Sequence, residues 1–248
     1  MNASYPDLKD RHVLVTGGGS GIGAALVEHF AAQGAHVGFL DIAVEASEAL
    51  AASHDNVAFE RADLTDIPAV RDAIGRLRER WGPVGALVNN AAHDERHALE
   101  DVTVEYWDGR MAVNLRHQFF VAQAVADDLK ADGAGTIVNM GSTSWMLGQG
   151  GMAAYTAAKS AVLGLTRSLA RDLGPSGVRA NSIAPGWIMT ERQREKWVTP
   201  EALEETIERQ CLKRELNPDD VAGLVLFLSS RASGGCTAQS FVCDGGIV

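Results

Sequence analysis

Tyr155 and Lys159 lie four residues apart in the Ala-rich run Gly151 to Leu165, GMAAYTAAKSAVLGL, a composition that favours helix. Residues at i and i+4 share one helix face, so the phenol and the ammonium can lean toward one point. A neighbouring cation favours the phenolate and would lower the tyrosine pKa from its reference of about 10. So tuned, Tyr155 is a proton carrier near neutral pH. Taken alone, the pair is equally an ordinary couple on a solvated helix face, and the rest of the chain has to decide.

The elements that would position this pair alternate along the sequence. The apolar run His12 to Thr16 predicts a strand, the glycines after it a turn, and the spacing of Ile22, Leu26, Val27 and Phe30 a helix over 22–33. Further strands are expected at 37–40, 57–60, 86–88, 135–140, 178–183 and 238–242. Helices are expected over 43–53, 66–81, about 111–130, and from the Tyr155 segment to Leu173. Such alternation predicts an α/β fold, a single doubly wound Rossmann-type domain over 1–248 with a central parallel sheet of about seven strands. The rhythm breaks at 187–218, where Pro200, the charged run Glu191 to Lys196 and a helical pattern over 201–210 read as a lid over the site.

Composition narrows the partners. With 248 residues, 46% of them hydrophobic, the chain can bury a large core, and its net charge of -10 argues against nucleic acid or an anionic membrane surface. Cys211, Cys236 and Cys243 form no C-x-x-C pair and are odd in number, so neither a disulfide framework nor a zinc cage is expected. His93 and His97 are four apart but lack a third ligand at zinc-like spacing, and no catalytic metal is expected. The first ten residues have no apolar core and no run is long enough to span a bilayer, which predicts a cytoplasmic protein.

The turn after the first strand reads Thr16-Gly17-Gly18-Gly19-Ser20-Gly21-Ile22-Gly23, a G-x-x-x-G-x-G spacing through Gly17, Gly21 and Gly23. Glycines let the backbone approach a pyrophosphate, and the helix that opens near Gly21 offers it free N–H groups. Asp41 closes the second predicted strand, where an acid can bond a ribose 2′-hydroxyl and repel a 2′-phosphate, so NAD is preferred over NADP. Asp41 can also cap the helix starting near Ala43, and both roles can hold together.

The T-G-x-x-x-G-x-G turn at Thr16, Asn89-Asn90-Ala91, Asn114, Ser142, the Tyr155-x-x-x-Lys159 pair and Pro185-Gly186 together resemble the classical short-chain dehydrogenase/reductase family, in order, spacing and over nearly the whole chain. The resemblance implies that Tyr155 is the general acid/base and that Lys159 holds the ribose and tunes the phenol. It also implies that Ser142 bonds the reacting oxygen and that Asn114 anchors a proton-relaying water. NAD would lie against Gly17, Ser20, Gly21, Ile22, Gly23, Asp41, Ile42, Asp63, Leu64, Asn90, Ala91, Pro185, Gly186, Ile188 and Thr190, together with Tyr155 and Lys159. A homotetramer is implied too. Ala92 departs from the pattern, replacing a second glycine by a small methyl.

Within the family, the stretches 93–97, 142–148 and 191–197 are similar to bacterial NAD-dependent sugar dehydrogenases, the D-xylose 1-dehydrogenase group above all. That likeness implies oxidation of an aldose at its anomeric carbon to the lactone. A sugar site needs converging polar groups and an aromatic platform, and Asp94, His97, Ser144, Gln149, Trp145 and Trp187, beside Ser142 and Tyr155, could supply them. Three rivals remain open from the sequence: a dehydrogenase of a keto-deoxy sugar acid, a reductase of a 3-oxoacyl-carrier-protein or other ketone, and a nucleotide-sensing module without catalysis.

Overall fold

Every residue of β1 (His12–Thr16) is buried, and the apolar side chains Val13, Leu14 and Val15 lose all contact with solvent. A strand covered on both faces requires this, and a parallel sheet between two helical layers supplies it. The computed structural model describes residues 3–248. From β1 the chain continues through α1 (Gly21–Ala32), β2 (His36–Asp41), α2 (Val44–Ala52), β3 (Val57–Arg61), α3 (Ile67–Trp81) and β4 (Ala86–Asn89). The second half adds α4 (Val104–Met111), α5 (His117–Asp132), β5 (Thr136–Met140), α6 (Ala153–Leu173) and β6 (Arg179–Pro185). It ends with α7 (Glu191–Lys196), α8 (Pro200–Arg209), α9 (Pro218–Ser229) and β7 (Ser240–Cys243).

The seven strands are all parallel, in the order β3-β2-β1-β4-β5-β6-β7. On one face Leu26, Val27 and Phe30 of α1 pack with Val221, Val225 and Leu226 of α9. On the other, Val70, Ile74 and Leu77 of α3 meet Val121 and Val125 of α5 and Leu169 of α6. Strand order reverses between β1 and β4, so their carboxyl ends diverge and leave a crevice there, the usual place for a ligand in such sheets. No helix among the described residues is long and apolar enough to cross a membrane.

Three helices were not foreseen. Helix α7 lies in the run expected only as a charged stretch and carries no buried residue. Helix α4 carries no buried residue, so it lacks the apolar stripe that would have marked it. Helix α9 opens on a reciprocal capping box between Asn217 and Asp220, with Pro218 in its first turn. Those start signals are in the sequence, but the nearly continuous apolar run behind them lacks one-sided periodicity. The single helix expected over 111–130 is instead α4 and α5 joined through a π-helical turn at Ala112–Arg116, a local widening frequent at functional sites.

Behind that turn lies a buried polar seam. Asn89 bonds Asn139 at 2.9 Å, and Asn139 donates to Thr166 at 3.0 Å. His117 is fully buried beside them on α5, with neither ring nitrogen meeting a partner at hydrogen-bond geometry. Burial, followed by the charge of Lys159, pushes its pKa down to about 3, only partly offset by the backbone at Ala112 and Val113. The imidazole is therefore neutral in the folded chain, while the unfolded chain binds a proton below about pH 6.5. Stability contributed by the neutral ring is present above that value and is lost as pH falls from 6.5 toward 3.

Denaturant unfolding at pH 7 and pH 5 tests this: His117→Asn should lose about 2 kcal/mol less than the parent over that interval, and equal losses would remove His117 from the acid limb. At Gly23 a Cβ would stand 1.8 Å from the Gly17 carbonyl oxygen and 2.7 Å from Asn90 Nδ2. Since backbone has to yield there, Gly23→Ala should cost about 2 kcal/mol or more, lowering the thermal midpoint by roughly 4–8 °C.

Candidate active site

One cleft of about 1260 Å³ opens over the carboxyl ends of β1, β4, β5 and β6. It exceeds the roughly 300–1,000 Å³ of a pocket for one small ligand. Its first wall is the glycine turn. Gly17 (φ +68°) and Gly21 (φ +55°) adopt left-handed backbone, and a Cβ on Gly17 would sit 2.8 Å from Ala91 Cα. Asn90 fixes this approach by donating to the Thr16 carbonyl at 3.1 Å and the Gly17 carbonyl at 2.9 Å, while its own N–H donates to the Thr16 hydroxyl. Helix α1 thus begins at the cleft with its first N–H groups free of helical partners.

Asp41, at the end of β2, accepts from the Gly19 N–H at 2.8 Å and from the Ile42 and Ala43 N–H groups at 2.7 and 2.9 Å. Its carboxylate braces the turn and the two residues ahead of α2 while still lining the cleft; it does not cap that helix, whose N-cap Ala43 has no side-chain bond. Asp63, after β3, accepts from Thr65 N–H and hydroxyl, both at 2.8 Å. Ser20, Ile22, Gly23, Ile42, Leu64, Asn90, Ala91, Pro185, Gly186, Ile188 and Thr190 line the same cleft.

The reacting end is built by β5 and α6. Ser142 follows β5 and accepts from the Ser144 N–H at 3.1 Å; Ser144 Oγ is buried without a partner. Lys159, 2% exposed, donates to the Met140 carbonyl at 2.7 Å, with its ammonium 5.8 Å from the centroid of the Tyr155 ring. The expected lowering of the tyrosine pKa is reversed within the chain. Burial pushes the phenol up to about 12 against the opposing pull of the Ser142 hydroxyl, and burial pushes Lys159 down to about 7. Desolvation disfavours both charges, and for Lys159 it outweighs the favourable pull of Asp94.

Asn114, fully buried in the π-helical turn, is not on the cleft wall. Its side chain accepts from the His93 N–H at 2.8 Å and donates to the carbonyls of His93 and Arg110 at 3.2 and 3.0 Å, so it pins the segment after β4. Asp94, Ser144, Gln149 and Trp187 do line the cleft. His97 and Trp145 are corrections: neither lines it. The His97 ring packs edge-on against Tyr106 at 5.3 Å, where aromatic contact outcompetes exposure to a polar cleft. Arg192, Gln193 and Trp197 from the stretch 191–197 complete the wall, together with Arg110, which was not singled out from the sequence.

The excursion after β6 has a closed base. Ile188 pairs with Leu216 in an isolated parallel bridge, with the Met189 N–H donating to the Leu216 carbonyl at 2.8 Å. Thr190 and Thr199 cap α7 and α8. The loop spans the cleft from this base, and Trp187 Nε1 donates to Gln193 Oε1 at 2.8 Å.

The family model described as enoyl-(acyl carrier protein) reductase matches residues 17–248. A protein of Rhizobium meliloti (strain 1021) named "Probable galactose dehydrogenase GalD" is 51% identical, the alignment covering 99% of this chain and 98% of that one. The D-xylose 1-dehydrogenase of Caulobacter vibrioides is 47% identical over the same shares. A crystal structure from Agrobacterium tumefaciens carrying a gluconate dehydrogenase designation superposes with a TM-score of 0.92 at 30% identity, covering 99% of this chain and 98% of its own. A glycine turn braced by an acid, a serine beside a tyrosine and a buried lysine, and full-length likeness to these proteins lead to one conclusion: the chain belongs to the short-chain dehydrogenase/reductase family of oxidoreductases.

Proposed function

We propose that the protein oxidises an aldose, a pentose or 6-deoxyhexose, at C1 to the lactone by hydride transfer to NAD, with Tyr155 as general base. The observation that carries this reading is that one cleft joins the Asp41-braced glycine turn to Tyr155, Ser142 and Lys159. The galactose and xylose named in two relatives support a sugar as the substrate. Gly17 and Gly21 fit a dinucleotide: their left-handed backbone and close packing on Ala91 and Thr190 bring the free N–H groups at the start of α1 to the cleft, where a pyrophosphate could accept from them. Asp41 favours a free 2′-hydroxyl and so NAD over its phosphorylated form. When bound, the nicotinamide takes up the hydride.

The chain's own groups handle orientation and the proton. Ser142 holds the C1 oxygen, and Tyr155 accepts the proton of the C1 hydroxyl. A phenol pushed up to about 12 is a poor base until a positive charge stands beside it. Lys159, anchored on the Met140 carbonyl, supplies that charge when protonated and meets the ribose hydroxyls. Asn114 keeps the segment after β4 in place, which holds the outer wall of the site. The excursion over 187–218 serves as the lid, and the copies of the chain assemble as a homotetramer in the cytoplasm. A ketone or acyl-carrier reductase would call for an apolar slot, whereas this cleft carries Asp94, Arg110, Arg192 and Gln193.

NAD reduction should be supported by neutral aldoses in a panel that also holds sugar acids and hydrophobic ketones; turnover of the ketones alone would overturn the reading. Tyr155→Phe should lower kcat about a thousandfold or more, within the scale of proton-transfer catalysis, while NAD binding stays nearly intact. In the parent the oxidation rate should climb with pH up to about 7 and level off above it, because burial holds Tyr155 protonated while the Lys159 ammonium it needs, pushed down to about 7, gives up its proton. Asp41→Asn should raise the KM for NAD and narrow the NAD-to-NADP preference about tenfold; an unaltered ratio would show that the ribose is read elsewhere.

A further inference from the structure

Asp94 sits on the segment after β4, and the lid reaches across the cleft to it. Arg192 donates to Oδ1 through Nε at 3.3 Å and Nη2 at 3.2 Å, and Gln193 donates to Oδ2 at 2.6 Å. Gln193 is itself held by Trp187. About a quarter of the Asp94 side chain remains exposed, at 23%. Each carboxylate oxygen has lone pairs left over, so the group can accept from a further donor in the cleft. Its charge is felt at the reacting end, where it raises the pKa of both Tyr155 and Lys159.

The cations nearest Asp94 in the chain each have a contact of their own. Arg110 bonds His93 and lies 3.6 Å from Glu95, and the Arg96 guanidinium stacks 4.5 Å from the centre of the Trp197 ring. Arg192 itself is committed to Asp94. A substrate carboxylate seated against Asp94 would meet its negative charge, with Arg192 already turned to Asp94, and like charges in a partly desolvated site repel. A sugar hydroxyl would donate to Asp94 in a charge-assisted hydrogen bond.

We propose that Asp94 is a specificity-determining residue that admits a neutral polyhydroxyl substrate and turns away one carrying a carboxylate, with Arg192 setting how much of that negative charge the substrate meets. This rests on the aldose reading above. It deepens that reading by separating aldoses from the sugar acids that a common fold would also accommodate. Asp94 acts in discrimination, while the chemical step stays with Tyr155.

The test uses the full-length protein with NAD, D-xylose and D-galactose as substrates, and D-gluconate as competitor. Asp94→Asn removes the charge but keeps an oxygen acceptor. It should raise KM for the aldoses about tenfold, with a smaller effect on kcat, and tighten inhibition by D-gluconate about tenfold. Arg192→Met unmasks the carboxylate and should move D-gluconate inhibition the opposite way, to a weaker constant. If Asp94 served only to clamp the lid, both variants would loosen the same contact and shift the two ligands in the same direction. Such parallel shifts, or an unchanged aldose-to-gluconate ratio in Asp94→Asn, overturn the proposal. Parent enzyme that turns over neither aldose overturns the aldose reading itself, a result visible before either variant is made.

Discussion

The contact on which the site depends is the approach of two backbones, the glycine turn after β1 and the Asn90-Ala91 segment after β4. These strands are neighbours in the sheet, but their helices leave toward different layers, so nothing in the sheet ladder alone brings the loops together. Asn90 spans them with side-chain bonds to two successive carbonyls. The absence of side chains at Gly17 and Gly23 lets the bridge close. Once it has closed, the start of α1, the brace at Asp41 and the floor of the cleft all have fixed positions relative to one another.

A second constraint is electrostatic. The chain hides an amine, an imidazole and a phenol within one neighbourhood of α5 and α6, and burial drives every one of them toward its neutral form. A site in this condition holds little charge of its own. The ionisable groups that stand around it are at the cleft wall, Asp94 and Arg192 among them. Local dielectric and placement, rather than the identity of Tyr155 alone, decide whether the phenol can act as a base.

What could be read from the sequence was local. The strand, glycine turn and helix at 12–33, the acid ending β2 and the i, i+4 pair on α6 depend on neighbours within a few residues, and the structure gathers them along one cleft. The partners of Asp94 could not be read, because Arg192 and Gln193 lie 98 and 99 residues further along and only tertiary folding makes them adjacent. Trp145 and His97 share the composition of sugar-binding loops, yet residue type does not encode which way a loop side chain turns. The tyrosine shift had the wrong sign because helical spacing reveals a nearby cation but not the depth at which both groups are buried. Helix α9 announced itself by its cap, but its hydrophobic face is too broad to show a period.

The bridge between Ile188 and Leu216 gives the excursion after β6 a property distinct from its contacts with the cleft. Its two ends are stapled to each other, its helices carry their own caps, and Cys211 and Leu212 tie its far side to Gly246 and Gly245 after β7, so the stretch before Gln210 is a cassette whose interior does not help to define the strands or α6. Residues can be exchanged, added or removed inside such a cassette while the glycine turn and the Tyr155-Lys159 pair keep their places. A fold arranged in this way can change what it recognises by rewriting some two dozen residues, leaving the chemistry it performs untouched.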